Sequence, residues 1–147
     1  MTATIYTYTP QATPGPTGTD PRPSAGEDAL TELCEIDGLR YVSVPDTATV
    51  TVPEPLTDWQ PASLTDALRA QIKQASPHCR RIDEQLQAKI REKYRLEDEL
   101  YFARIAVGAL QNTYTPTAEE ATLLAQYQAD VEAIRDWARA ERAGLGV

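Results

Sequence analysis

CRRIDEQLQAKIREKYRLEDELYFARIAVGAL, residues 79–110, is the stretch that decides the fold. Cys79, Ile82, Leu86, Lys89, Lys93, Leu96, Leu100, Ala103, Val107 and Leu110 recur in it at steps of three and four. A helix turns once every ~3.6 residues, so these positions form one stripe. Leu124, Tyr127, Val131, Ile134 and Ala138 repeat the pattern further on. Two long helices are predicted, one running unbroken from Pro77 to about Leu110 and the other from Thr117 to about Ala143. Asn112 to Pro116 supplies the turn between them. Lys89 and Lys93 fall where apolar residues are expected, so the seam opens to solvent there, the lysines meet acids, or the helix kinks near Tyr94.

The cap residues agree with this reading. Ser76-Pro77 places a capping hydroxyl before a proline at the first helical position, where its missing N–H costs nothing. Thr117 and Glu120 have the spacing of a capping box, and Gly144 suits the position after a helix end. A shorter helix ends near Ala75, with Ser63 as its expected N-cap and Asp66 close behind.

Working backwards from there, residues 1–63 hold most of the prolines and many threonines. Thr2 to Thr9 alternates polar and apolar residues, which suits a strand added to a sheet edge. Thr13 to Ser24, TPGPTGTDPRPS, reads as an irregular linker. Leu33 to Ile36 and Leu39 to Val42 flank Asp37-Gly38, the signature of a two-residue hairpin turn. That register sets Ile36 against Leu39, Glu35 against Arg40, Cys34 against Tyr41 and Leu33 against Val42. A third strand is expected from Ala48 to Val52, ended by Pro53 and Pro55. The expected fold is therefore mainly α: a long helical hairpin plus a short helix, preceded by an extended Pro/Thr-rich arm with a small β-hairpin. The boundary falls between residues 63 and 64.

A net charge of −8 argues against nucleic acid as a partner. The charge is uneven: residues 1–63 carry nine acids against two bases, whereas residues 64–95 carry eight bases against four acids. No apolar run reaches the ~20 residues of a membrane helix, and the first residues lack the pattern of a secretory signal. Two cysteines, Cys34 and Cys79, are expected as free thiols. His78 neighbours Cys79, but adjacent helical residues point about 100° apart, which does not make a nucleophile–base pair. The acids at 97–99 and 119–120 read as solvated helix charge, and Gly108 is isolated rather than part of a phosphate loop. No enzyme activity, metal or cofactor is expected.

Ile90-Arg91-Glu92-Lys93-Tyr94-Arg95-Leu96-Glu97-Asp98-Glu99-Leu100, followed by Tyr127, Val131-Glu132, Arg135, Trp137-Ala138-Arg139 and Leu145-Gly146, resembles the C-terminal part of small bacteriophage tail proteins. These are tail-fibre assembly proteins and related tail accessory proteins. Arg95 departs from the pattern, standing where a small capping residue is expected, and favours a continuous helix. The resemblance implies a non-enzymatic tail protein, a structural component or adaptor of the tail fibre or baseplate region that binds neighbouring tail subunits through its N-terminal arm and helical hairpin. It would be assembled in the host cytoplasm, reside in the virion and form a homo-oligomer. Its partners would be other phage tail proteins, fibre or baseplate subunits. An assembly chaperone that leaves the particle and a cellular oligomeric adaptor are the alternatives. Ile5, Tyr6, Tyr8, Trp59, Ile82, Leu86, Lys89, Lys93, Leu100 and Val107 are the candidate interaction residues, with Leu100 and Val107 expected to hold the helical seam together.

Overall fold

A computed structural model describes residues 2–11, 20–26 and 30–147. Most of the expected linker at 13–24 lies outside the described residues. The chain divides into two compact units, Met1–Ile82 with Ala140–Val147, and Asp83–Arg139. The division expected at residue 63 thus falls inside the first unit. About half the chain (51%) is helical, and the remainder includes a four-stranded antiparallel sheet, so the fold is mixed α/β rather than mainly α.

In the first unit, β1 (Ala3–Tyr8), β2 (Thr31–Ile36), β3 (Leu39–Pro45) and β4 (Gln60–Pro61) lie in the order β2-β3-β1-β4. β1 pairs with β3 along its whole length and with β4 on its other side. The residues expected to reach out to a neighbour therefore form an inner strand, with hydrogen-bonding partners in their own chain. Alternation along β1 and β3 builds two cores. Ile5 and Tyr41 enter one with Leu33, while Tyr8, Val42 and Val44 enter the other with Leu56. This is why β3 is buried at five consecutive positions, Arg40 to Val44.

The Asp37-Gly38 turn forms as expected, with φ of 52° and 77°, the left-handed pair a tight hairpin turn requires. Ile36, Glu35 and Cys34 meet Leu39, Arg40 and Tyr41 in the expected register. Beyond them the register slips, and Glu32 rather than Leu33 faces Val42. Leu33 is the extra residue of a bulge, which lets it join Cys34 on the core side of the strand. The strand expected at 48–52 reduces to a single bridge between Ser24 and Thr51.

Helix α1 (Asp66–Ala75) packs on β2. Its cap is Thr65, not Ser63: the Thr65 hydroxyl accepts the Leu68 N–H at 3.1 Å. Ala62 and Leu64 precede it against the core, which delays the helix by two residues. Ser76 then serves two helices. Its N–H donates to the Ile72 carbonyl at 2.8 Å, and its hydroxyl lies 3.5 Å from the Cys79 N–H at the start of α2 (Pro77–Lys93). The fully buried Ile72 and Cys79 join Ile5, Leu33 and Tyr41 in the first core.

Val147 belongs to the same core. Helix α4 (Ala118–Gly144) continues through Gly144, and the left-handed residue is Gly146, at φ 81°. Gly146 and Val147 donate to the carbonyls of Ala143 and Arg142, the paired bonds of a Schellman cap. Arg69 of α1 holds the Gly146 carbonyl at 3.0 Å.

The second unit contains residues 83–93 of α2, helix α3 (Leu96–Leu110) and residues 118–139 of α4. The helix expected to continue from Pro77 to Leu110 stops at Lys93 and restarts at Leu96. Arg95 is extended (φ −76°, ψ 163°), and the Asp98 carboxylate accepts its N–H at 2.8 Å. Glu97, Asp98 and Glu99 then sit at the positive end of α3, which stabilises a new start there. The turn after α3 matches expectation: Thr117 and Glu120 cap α4 reciprocally at 2.9 and 3.2 Å.

A side chain at Gly146 would place its Cβ 2.7 Å from the Ala3 carbonyl oxygen, on a backbone that L-residues avoid. Gly146→Ala is therefore expected to destabilise the sheet unit, as is Ile72→Ala, which should cost about 3 kcal/mol. Urea unfolding followed by Trp59 fluorescence, with the second tryptophan replaced by Phe, checks both. A midpoint unmoved by Gly146→Ala would show that residues 145–147 do not hold the sheet.

Candidate functional site

The break at Tyr94-Arg95 decides which side of α3 faces its own unit. Tyr94 stands edge-on to Tyr127 (5.0 Å between centroids) and to Phe102 (6.2 Å), while Phe102 stacks on Tyr127 at 4.8 Å. The Tyr94 hydroxyl donates to Asp130 at 2.6 Å. Gln126 donates to the same carboxylate at 3.1 Å, and Lys93 lies 3.4 Å from it. Arg91 pairs with Glu99 across the break. These contacts turn Phe102 and Ile105 inward, and both are buried.

The expected stripe is consequently on the other side of α3. Leu96 (56% exposed), Leu100 (62%), Val107 (50%) and Leu110 (83%) face solvent, with Ala103 exposed between them. Leu100 and Val107 do not hold the helices together; Phe102 and Ile105 do. At 100° per residue the two sets lie on opposed sides of the cylinder. A shallow groove of ≈ 390 Å³ runs beside Ala103, Val107, Gly108 and Gln111. At this end of α3, Gly108 is needed for packing, because a Cβ there would lie 2.8 Å from the Cβ of Tyr114. Tyr101 and Tyr114 both donate to Glu120, which fixes the turn.

Most of the other candidate residues are occupied within the chain. Ile5 and Tyr8 are core residues, both 1% exposed. Tyr6 stacks on Trp59 (4.8 Å between centroids, 9° between planes), and Tyr8 tilts against the same indole. Trp59, half-buried, thus packs against the second sheet core. Ile82 is buried and Leu86 half-buried. Lys89 caps the Trp137 ring at 4.8 Å, and Lys93 finds its acid in Asp130. Both lysines sit beside the buried row, which runs through Ile82, Leu86 and Ile90. Leu96 and Leu110 join Leu100 and Val107 on the open face, and the spacing of three and four identifies them.

Charges elsewhere are satisfied in structural roles. Arg40, buried on β3, meets Asp20, Glu32 and Glu35 and donates to the Tyr8 hydroxyl at 3.2 Å. Burial pushes the Cys34 thiol up to about 11, so it stays protonated at neutral pH and is a poor nucleophile. Neither cysteine is in a disulfide. Among the described residues no cluster of three His, Cys, Asp or Glu could hold a metal, and no helix is long and apolar enough to cross a membrane.

No family model matches the chain, and no curated protein or solved structure is similar to it. The outward face of α3 is the feature that the packing of the chain leaves without a purpose.

The Tyr94–Asp130 contact has a pH signature. The hydrogen bond to Asp130, aided by burial, pushes the Tyr94 phenol up to about 12, against 10 ordinarily. The folded state then holds a proton that the unfolded state loses, so this stabilisation is complete below pH 10 and disappears as the pH rises to about 12. Asp130 is held below its ordinary value, chiefly by the same bond, so its contribution is lost only as acid titrates it. Tyr94→Phe should lower thermal stability at neutral pH and make its decline between pH 10 and 12 shallower than in the wild type. Circular dichroism melts across that range check this, and equal slopes for the two proteins would assign the alkaline limb to other tyrosines.

Proposed function

We propose that this chain is a non-enzymatic assembly protein that docks onto other proteins through the outward face of α3. The observation that carries this reading is the row of Leu96, Leu100, Val107 and Leu110 left half-exposed or more on a 15-residue helix that already has a buried side. A continuous apolar row facing water marks a contact surface. The likeness of Ile90 to Gly146 to small bacteriophage tail proteins supports a more specific setting. In it, the protein is a structural component or adaptor of a tail fibre or baseplate, bound to neighbouring tail subunits. Since β1 is paired on both sides in its own chain, α3 rather than an N-terminal arm is the docking element.

Quantitative mass spectrometry of purified particles and of the lysate they came from tests the setting. A fixed copy number in the particles supports the structural role, and presence in the lysate alone makes the protein a chaperone. A source without tailed particles leaves a cellular adaptor. Leu100→Asp combined with Val107→Asp is expected to abolish incorporation while leaving helicity intact and stability within about 0.5 kcal/mol, as for other exposed sites. Normal incorporation of that variant would remove α3 as the docking face.

A further inference from the structure

Helix α3 is apolar on two opposed sides, a pattern ordinarily found in helices covered all round. Phe102 and Ile105 account for one side. Leu96, Leu100, Ala103 and Val107 on the other follow the 4-3-4 spacing of a two-helix seam. Glu97 and Arg104 stand seven residues apart on one flank of that seam. Both are exposed, and neither is in an ion pair among the described residues. We propose that a second copy of this chain covers this face, with the two α3 helices antiparallel about a twofold axis. This rests on the reading of α3 as a docking face and names its occupant.

The pairing is self-complementary in one register. Setting Leu100 against the partner's Ala103 brings Leu96 against the partner's Val107, and symmetry makes each contact twice. Large residues then face small ones, as close packing requires. The same register lays Glu97 beside the partner's Arg104, again twice, so the unpaired charges on the flank neutralise each other. A parallel arrangement does neither. It sets Ala103 against Ala103, which leaves a hollow, and it aims Arg104 at the partner's Glu99, a carboxylate that Arg91 already holds within its own chain. The overlap from Leu96 to Val107 is about 17 Å long at ~1.5 Å per residue, so the association is modest and concentration-dependent.

Sedimentation equilibrium of the full chain across roughly 5–300 µM tests this. The wild type is expected to approach twice its 16.2 kDa mass, and the chain with Leu100→Asp and Val107→Asp to stay at a single mass throughout. Reversing one charge, by Glu97→Arg or Arg104→Glu, should weaken association roughly tenfold, because both copies carry the change. Exchanging the two, Glu97→Arg with Arg104→Glu, should restore it to within about threefold. The charge variants lie on an exposed flank, so they decide the matter even if the aspartate variant loses helicity. A wild type that stays single across the range overturns the proposal. Equal association by the aspartate variant does too, and no recovery in the exchanged variant overturns the antiparallel register. A single-mass wild type that nevertheless needs Leu100 and Val107 for incorporation into particles would sink the self-pairing alone. A single-mass wild type whose incorporation into particles is also untouched by the two aspartates would sink the docking face itself.

Discussion

The backbone N–H of Arg95 has no carbonyl to bond within a helix, because the chain is extended at that residue; Asp98 takes it instead. Much of the second unit follows from this substitution. Once α2 ends at Lys93, α3 no longer has to continue its buried row. Tyr94, at the break, can then stand edge-on to Phe102 and Tyr127 with its hydroxyl on Asp130. An unbroken helix would have kept Leu100 and Val107 in line with Ile82 and Leu86. The break exchanges them for Phe102 and Ile105, larger in sum and joined to an aromatic cluster, and puts the leucines in water. One hydrogen bond of ordinary strength thereby sets which residues of α3 face solvent.

The first unit is organised by a different constraint. A four-stranded sheet with one two-residue strand has little area of its own, and both its faces need cover. One face is covered by Ile72, Cys79 and Val147, from α1, the start of α2 and the segment after α4. The other receives Leu56, Trp59 and the irregular segment around Ala48 and Val50. Arg40, on the strand between, is neutralised by three carboxylates, so its burial is tolerated.

Local signals were the ones that could be read from the chain. Asp37-Gly38, Ser76-Pro77 and Thr117 with Glu120 each act within a few residues, and each does what its chemistry predicts. The Arg95 break was also written locally, in an acid three residues on and two more beside it. It was hidden by periodicity, since the spacing of three and four runs straight through the break while the face it marks changes from buried to exposed. The order of the strands had no local trace at all. β1 pairs with residues 32 to 42 and 53 to 55 positions away, and alternation shows that it is a strand but not where its edges go. Trp59 is the same case: its packing on the sheet depends on strands far away in sequence. The open face of α3 was legible as a stripe and misread as to what it touches, because a sequence records where the apolar residues are and not which of two such rows its own chain will claim.

The core position of Val147 also orders events in time. Residues 83–139 are continuous, with contacts that span short stretches of chain, and such segments close quickly. The sheet unit needs residues from both of its ends, so its hydrophobic core cannot be completed until residue 147 has left the ribosome. On a chain made at ~5–20 residues per second, Ile5, Leu33 and Tyr41 wait several seconds for their last neighbour. For that interval the strand edges of the nascent chain are the aggregation-prone surface, because the helices are themselves still being made: residue 139, the last of the helical unit, precedes residue 147 by only eight positions.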